Sequence, residues 1–573
     1  MHSRLTWAAL CLTLIALIPL AAVAGPLPTA APSAPERPVV VRIHYDTLQQ
    51  RQALAAELDV WEVHAEAGYL LALVDPGQYA SLAARGYRLE VDAARSAFPE
   101  TIPDYPCYRT IAELYADLDQ VVADYPDIAD LETFGTSYEG RPLKALQLTN
   151  RAIVKDKPAF LLMANIHGRE LITPETAMVF VDHLTANYGA DPDVTWLLDH
   201  HQVHVLVSTN PDGHVRNESG QPWAYWRKNT QPYGTCDPDD IGVDLNRNHS
   251  FKWACCDGSS TYACDDTYHG PTAASEPETQ ALEAYIRGLF PDQRGPLDSD
   301  AAPLDSTGVL ITLHSYGNLV LWPWGWTKAP APNAAGLEAL GRKMATYNGY
   351  SPGQACTLYP TDGTTDDGSY GELGIASYTF EIGRYTDGFY PQCSRYDDLI
   401  QPNLPALLYA AKVARTPYMT SLGPDALAVS VSPAAVPGGT AVQLSARIDD
   451  ADNGADPIAA AEYYVDIPPW DGGSPVPLAP VDGSFDQVFE EVEATVVTGC
   501  NQPGRHILFV RGQDSQGHWG PVSAAFVETT NDSLIEGHVQ EAASGQPIVP
   551  ALVTMDGTPC SYQAQVDITG YYS

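Results

Sequence analysis

Hydrophobic positions change their period several times along this chain, and each change predicts an element. Behind a Pro/Ala stretch at 25–36, VVVRIHY alternates as a strand does, TLQQRQALAAEL has helical spacing, and VWEVHAEAGYLLALV reads as two strands around a glycine turn. PGQYASLAARG predicts a second helix and YRLEVD a last strand. This β-α-β-β-α-β order predicts a small split-βαβ unit ending near Ala94. From about 104 to 416 strongly apolar runs alternate with amphipathic ones, the pattern of an α/β layer fold. AFLLMAN, HVLVSTN, GVLITLHSYGNLVLW and SYTFEIG read as strands. YRTIAELYADLDQVVADY, the segment from Pro174 to about Tyr188, EPETQALEAYIRGLF and NLPALLYAAKVAR read as helices. Beyond Pro417, alternating strands separated by turn residues predict an immunoglobulin-like β-sandwich near 422–530. Residues 534–573 start a further small β unit, too short to close a sheet, as in a truncated gene product.

Composition narrows the compartment and the partners. The 573 residues exceed one ordinary domain, and 45% hydrophobic with 18% charged content describes a folded chain. With 71 acidic against 31 basic residues, a net charge of −40 argues against nucleic acid and anionic membrane as partners. Residues 1–24 read as a signal peptide: His2 and Arg4 precede an apolar run that ends at Ala22-Val23-Ala24. No later run approaches the roughly 20 apolar residues of a membrane span. The mature chain is therefore expected outside the cytoplasm, secreted or, in a Gram-negative bacterium, periplasmic. Cys11 leaves with the signal and nine of the ten cysteines remain, which in an exported chain predicts disulfides. Cys236, Cys255, Cys256 and Cys264 crowd together without a clean CxxC pair for zinc, and Cys356 with Cys393 is a candidate bridge.

The chemistry gathers where LLMANIHGRELITPETA breaks off its apolar run at His167-Gly168-Arg169-Glu170, with Thr173 placed as a helix cap and Pro174 at the first helical position. An imidazole and a carboxylate three residues apart at a strand end can converge on one cation, and zinc accepts both. The H-x-x-E pattern is weak alone. His314, ending LITLHSYG where a parallel sheet opens its crevice, supplies the third ligand. The histidines of DHHQVH (199–204) are read as structural, the acidic runs at 237–240 and 298–300 as solvated loops, and Trp322, Trp324 and Trp326 as pocket wall and core.

With these residues in view, the sequence resembles the zinc metallocarboxypeptidases of the pancreatic carboxypeptidase A/B type. NIHGREL and LHSYG look like that family's ligand motifs. WRKN (226–229), VDLNRN (243–248) and SYTFEIG (377–383) match three more, and the step from Tyr359 to Glu381 matches the spacing between its mobile tyrosine and its catalytic glutamate. The resemblance spans 104–416 and implies a mixed central sheet with helices on both faces, one zinc ion, and a pro-domain in the region 25–98 that makes the chain a zymogen cut near Arg95. It implies zinc on His167, Glu170 and His314, with Asp244 holding a ligand histidine from behind. Glu381 becomes the general base, and Arg227 faces the developing oxyanion. Asn246, Arg247 and Tyr359 bind the free C-terminal carboxylate of a peptide or protein substrate, with Arg169 as an accessory arginine, because a guanidinium fork matches a planar carboxylate. Asp366 at the base of the side-chain pocket implies a preference for C-terminal Lys or Arg, and Gly325 leaves that pocket room. The rival readings are a related zinc amidase or endopeptidase acting on cell-wall peptides, and an inactive pseudo-peptidase that serves as a binding module.

Overall fold

The computed structural model describes residues 35, 38–93, 95–96, 106–218, 225–238, 240–499, 503–530, 537–555 and 562–572. The expected signal peptide, Cys500 and Cys560 lie outside them.

Near the N-terminus, β1 (Val39–His44), β2 (Asp59–His64), β3 (Tyr69–Val74) and β4 (Leu89–Val91) form an antiparallel sheet in the order β2-β3-β1-β4. Helices Leu48–Glu57 and Pro76–Ala84 connect them, each started by a capping box, Thr47 with Gln50 and Asp75 with Gln78. The period of two gives this sheet two apolar faces. Val39, Val41, Ile43, Leu70 and Ala72 pack with Leu54 and Leu82 of its own helices. Val40, Trp61 and Leu71 join the core of the next unit instead.

That next unit is built on eight strands: β5 (Ala129–Thr136), β6 (Pro142–Leu148), β7 (Ala159–Met163), β8 (Gln202–Leu206), β9 (Val309–His314), β10 (Leu319–Trp322), β11 (Ser351–Gln354) and β12 (Ala376–Glu381). Their order is β11-β10-β12-β9-β7-β8-β6-β5, with β12, β9, β7 and β8 mutually parallel and β10 and β6 antiparallel to their inner neighbours. Every residue of β7 and β9 is buried, as expected of central parallel strands covered on both faces. Phe160 and Leu162 pack toward the side of helices Ile172–Asn187 and Ala334–Asn348, and Leu161 and Met163 toward helix Pro277–Leu289.

Three expectations need correction. GVLITLHSYGNLVLW is two strands, β9 and β10, because its SYGN segment turns the chain with Asn318 at φ 53°. The helix expected from Pro174 begins at Ile172, and Thr173 does not cap it. The Thr173 hydroxyl instead donates to Glu170 O at 2.8 Å and accepts from Asn165 N at 3.0 Å, bracing the loop after β7. Cys393 bonds Cys107, not Cys356, which is buried and unbridged among the described residues, its backbone tied to Trp324 O. The clustered cysteines form the bridges Cys236–Cys264 and Cys255–Cys256.

Residues 425–530 form two packed sheets of four and five strands around a core that includes Leu444, Ile448, Tyr463 and Val510. Trp470 of this sandwich packs on Trp196 and His200 of the central unit. Two small two-stranded sheets follow, at 537–572. Among the described residues, no helix is long and apolar enough to cross a membrane.

Candidate active site

Three neighbouring parallel strands end at the same edge of the sheet. His314 is the last residue of β9, and Glu381, the last of β12, lies directly beside it in register. β7 stops at Met163, and the loop after it carries His167 and Glu170. Asn165, at φ 56°, shapes this loop: its amide nitrogen donates to His167 O and Gly168 O, and its oxygen accepts from Ser208 Oγ and His214 Nδ1. A Cβ on Gly168 would come within 2.3 Å of the Gly213 backbone, so only glycine fits there.

The ligand atoms converge. His167 Nδ1 lies 2.7 Å from Glu170 Oε1, His314 Nδ1 lies 3.2 Å from Glu170 Oε2, and the two Nδ1 atoms are 3.2 Å apart. All three side chains are buried, and among the described residues Glu170 Oε2 has no aligned hydrogen bond, His314 Nδ1 being its close neighbour. Two imidazole nitrogens and a carboxylate oxygen aimed at one point, with an orphaned buried acceptor among them, suit a cation. Three N/O ligands are the donor set of a catalytic zinc site. Behind the site, Asp244 Oδ1 sits 3.2 Å from His167 Nε2, which fixes the tautomer that turns Nδ1 toward Glu170. The other Asp244 oxygen accepts from Arg227 Nε at 3.1 Å and Nη2 at 2.8 Å.

These neighbours set the charges. Burial alone would raise Glu170 and Asp244, but His167 and His314 around the first, and Arg227 and His167 around the second, hold both well below the usual carboxylate range. Burial, with Arg227, lowers His167. Burial also opposes charge on His314, yet Glu170 and Glu381 beside it win and raise it. Glu381 goes the other way: burial pushes it up to about 8, with Glu170 adding and His314 opposing.

His167, Arg169, Glu170, Arg227, Asn246, Arg247, His314, Tyr359, Asp366 and Glu381 line one cavity. Arg247 is held by Gly258 O at 3.1 Å from Nε and Asn246 O at 2.7 Å from Nη1, and Asn246 Oδ1 accepts from Thr365 N at 3.0 Å. Three aspartates crowd the pocket base, and their partners separate them. Asp362 accepts from Cys256 N, Gly258 N and Ser259 Oγ, and Asp367 from Gly325 N and Trp326 N. Asp366 meets only Thr379 Oγ1, at 3.2 Å, among the described side chains, which leaves its charge facing the cavity. Gly325 does not line the cavity. A Cβ there would come within 2.4 Å of Thr361 Oγ1, and Thr361 does line it.

The same cavity holds residues that the sequence reading did not single out. Val60, Trp61, Glu62 and Val63 of β2 project into it, beside Tyr316 and Phe389. The Asp59 carboxylate grips both Nη atoms of Arg169 and accepts from Trp61 Nε1 at 2.7 Å. Arg95 pairs with Glu62 at 2.8 Å and donates to Tyr385 O at 3.1 Å. The available signal was Asp59 and Glu62, two acids set among Val60, Trp61 and Val63; the structure leaves each only 2% exposed.

A mixed α/β sheet whose strand ends and the loop after one of them present two histidines, a glutamate ligand and a second, half-buried glutamate defines a zinc hydrolase site. The family model described as zinc carboxypeptidase matches residues 114–405. Zinc carboxypeptidase of Saccharothrix mutabilis subsp. capreolus is 32% identical over 351 residues, 56% of this chain and 77% of that protein. Carboxypeptidase B of Canis lupus familiaris is 32% identical over 327 residues, 55% of this chain and 72% of that one. The crystal structure of thrombin activatable fibrinolysis inhibitor superposes with a TM-score of 0.53 at 24% identity, covering 66% of this chain and 99% of that one, a likeness of fold. The chain belongs to the zinc carboxypeptidase family and is a zinc-dependent hydrolase, with His167, Glu170 and His314 as its candidate metal site.

Proposed function

We propose that the chain is the secreted zymogen of a carboxypeptidase that removes C-terminal residues, Lys and Arg in preference to others. One observation carries the reading: the His167–Glu170–His314 cluster and Glu381 share a cavity with the buried Arg247, while β2 of the N-terminal unit projects into the same space. Zinc held by His167, Glu170 and His314 would supply Lewis acidity, polarising the scissile carbonyl and acidifying a water. Asp244 keeps the His167 ring in its ligand tautomer. Glu381 takes a proton at its carboxylate and returns it to the leaving amine. Arg227, fixed by Asp244, donates to the carbonyl oxygen as charge develops on it. Arg247 and Asn246, with Tyr359, hold the terminal carboxylate, and Arg169 extends this positive surface. That clamp favours a free C-terminus over an internal bond, since an unpaired buried guanidinium is costly. Asp366 receives a cationic side chain, and Thr361, which Gly325 leaves room for, shapes the wall beside it.

Residues 25–98 act as the pro-region, 104–416 as the catalytic domain and 422–530 as the appended sandwich. Cleavage near Arg95 would sever the link between the pro-region and the catalytic domain, so that β2, with Arg95 still paired to Glu62, could leave the cavity and give up the contact with Tyr385 O. The three disulfides among the described residues and the apolar N-terminal run support secretion. The test is residue release from peptides ending in Arg, in Phe and in an Arg amide, before and after limited proteolysis. The reading expects release from free Arg termini, weaker release from Phe, none from the amide, and a rise on cleavage. Comparable rates on peptide and amide would instead indicate an amidase or endopeptidase.

A further inference from the structure

The sandwich loop DDADNGADP (449–457) gathers carboxylates that the active site does not use. Asp450 follows the strand Ala441–Asp449, Asp456 precedes the strand Ile458–Val465, and Asp514 ends the strand Gly504–Asp514, where it pairs in register with Ile458. One carboxylate oxygen from each lies within 4.8 Å of the others. Asp450 and Asp514 are buried and Asp456 is half-buried.

Backbone amides and a glutamine amide supply most of their hydrogen bonds. Asp456 N donates to Asp450 Oδ2 at 2.7 Å, Gln516 Nε2 to Asp456 Oδ1 at 3.0 Å, and Gln516 N and His518 N to Asp514 Oδ1 at 2.9 and 2.8 Å. Among the described residues, no lysine or arginine pairs with any of the three; His518 Nδ1, 2.9 Å from Asp514 Oδ2, is the one ionisable partner. Asp450 Oδ1, on a side chain with no solvent exposure, has no hydrogen-bond partner. A buried carboxylate oxygen left bare beside two further carboxylates is costly unless a cation completes it.

We propose that Asp450, Asp456 and Asp514 bind one calcium ion, which fixes this loop against the peptidase domain. All-oxygen donors select a hard cation over zinc or copper. Calcium takes oxygens at about 2.3–2.6 Å, so oxygens on opposite sides of it lie roughly 5 Å apart, whereas magnesium at about 2.1 Å needs a tighter cage. The three carboxylates lie close enough to share one ion, and calcium tolerates an irregular cage of protein oxygens that magnesium, which keeps its waters, does not. The loop is braced outward too: Asn453 Nδ2 donates to Gly423 O and lies 3.5 Å from Tyr409 Oη on helix Asn403–Lys412. Lys343 pairs with Asp425 at the same junction. The site is independent of the zinc cluster and of the function proposed above.

The experiment uses the zinc-loaded full chain freed of other divalent ions. Calorimetric titration with CaCl2 is expected to show one calcium bound per chain and absent from Asp514→Asn. Asp456→Asn, on a half-exposed loop position, is expected to fold normally and bind about tenfold or more weakly. Saturating calcium should raise the thermal midpoint of the wild type by about 5 °C or more, a shift the variants lose. Absence of calcium binding in the wild type, undiminished affinity in Asp456→Asn, or an equal response to MgCl2 overturns the assignment.

Discussion

The contact between Asp59 and Arg169 offers the sharpest test of the zymogen reading. Each side chain is at most 2% exposed, and both Nη atoms of Arg169 meet the Asp59 carboxylate. Burial works against the charge on Asp59, but Arg169 holds its carboxyl below the ordinary value, so the docked pair is ionised. Asp59→Ala strands a guanidinium in the docked state, while in the undocked state Arg169 is hydrated in either form. The whole loss therefore falls on docking. Removing one partner of a buried pair costs about 3–5 kcal/mol, and at roughly 1.4 kcal/mol per tenfold this weakens docking by about a hundredfold to a few thousandfold. Asp59 opens β2 at the interface, outside the apolar cluster that holds the N-terminal unit together, so that unit should keep its fold. The assay is hydrolysis of a chromogenic peptide with a free C-terminal Arg by uncleaved protein, its length checked by mass spectrometry and its fold by circular dichroism. The intact variant should be markedly more active than intact wild type, with the two equal after proteolysis. The reasoning fails if the intact variant stays as silent as wild type while cleavage activates both, or if intact wild type is already fully active.

Other expected outcomes concern the cavity itself. Glu381→Gln keeps the side-chain volume and removes the base; kcat should fall by about 10²–10⁴-fold, with zinc content by elemental analysis unchanged. Asp366→Ala removes the charge facing the cavity, and kcat/KM for C-terminal Arg should drop by about tenfold or more relative to Phe, measured on paired peptides. Burial raises Glu381 to about 8, and a base must be unprotonated, so activity is lost as pH falls through its pKa. A bound dication favours the carboxylate, which places the acid limb of kcat/KM below 8 in zinc-loaded enzyme and removes it in Glu381→Gln.

Much of the molecule was written locally. The alternating run of β1, the continuous apolar runs of β7 and β9, the capping boxes at Thr47 and Asp75, and the order of the motifs from NIHGREL to SYTFEIG each depend on residues close in the chain, so they can be read without coordinates. What needed the tertiary structure involved partners far apart in sequence. Cys107 meets Cys393 across 286 residues, and spacing had favoured Cys356. Three aspartates within DGTTDD look alike along the chain. Asp362 and Asp367 are occupied by backbone amides brought from 256–258 and 325–326, and that alone leaves Asp366 to the cavity. Asp59 falls between the helical run and the strand run and had no role in the sequence; folding sets it on Arg169, 110 residues away. A sequence fixes which groups a segment can offer. Which of them end up desolvated and facing a charge depends on long-range packing, and burial is what turns a surface acid into a plug or a pocket floor.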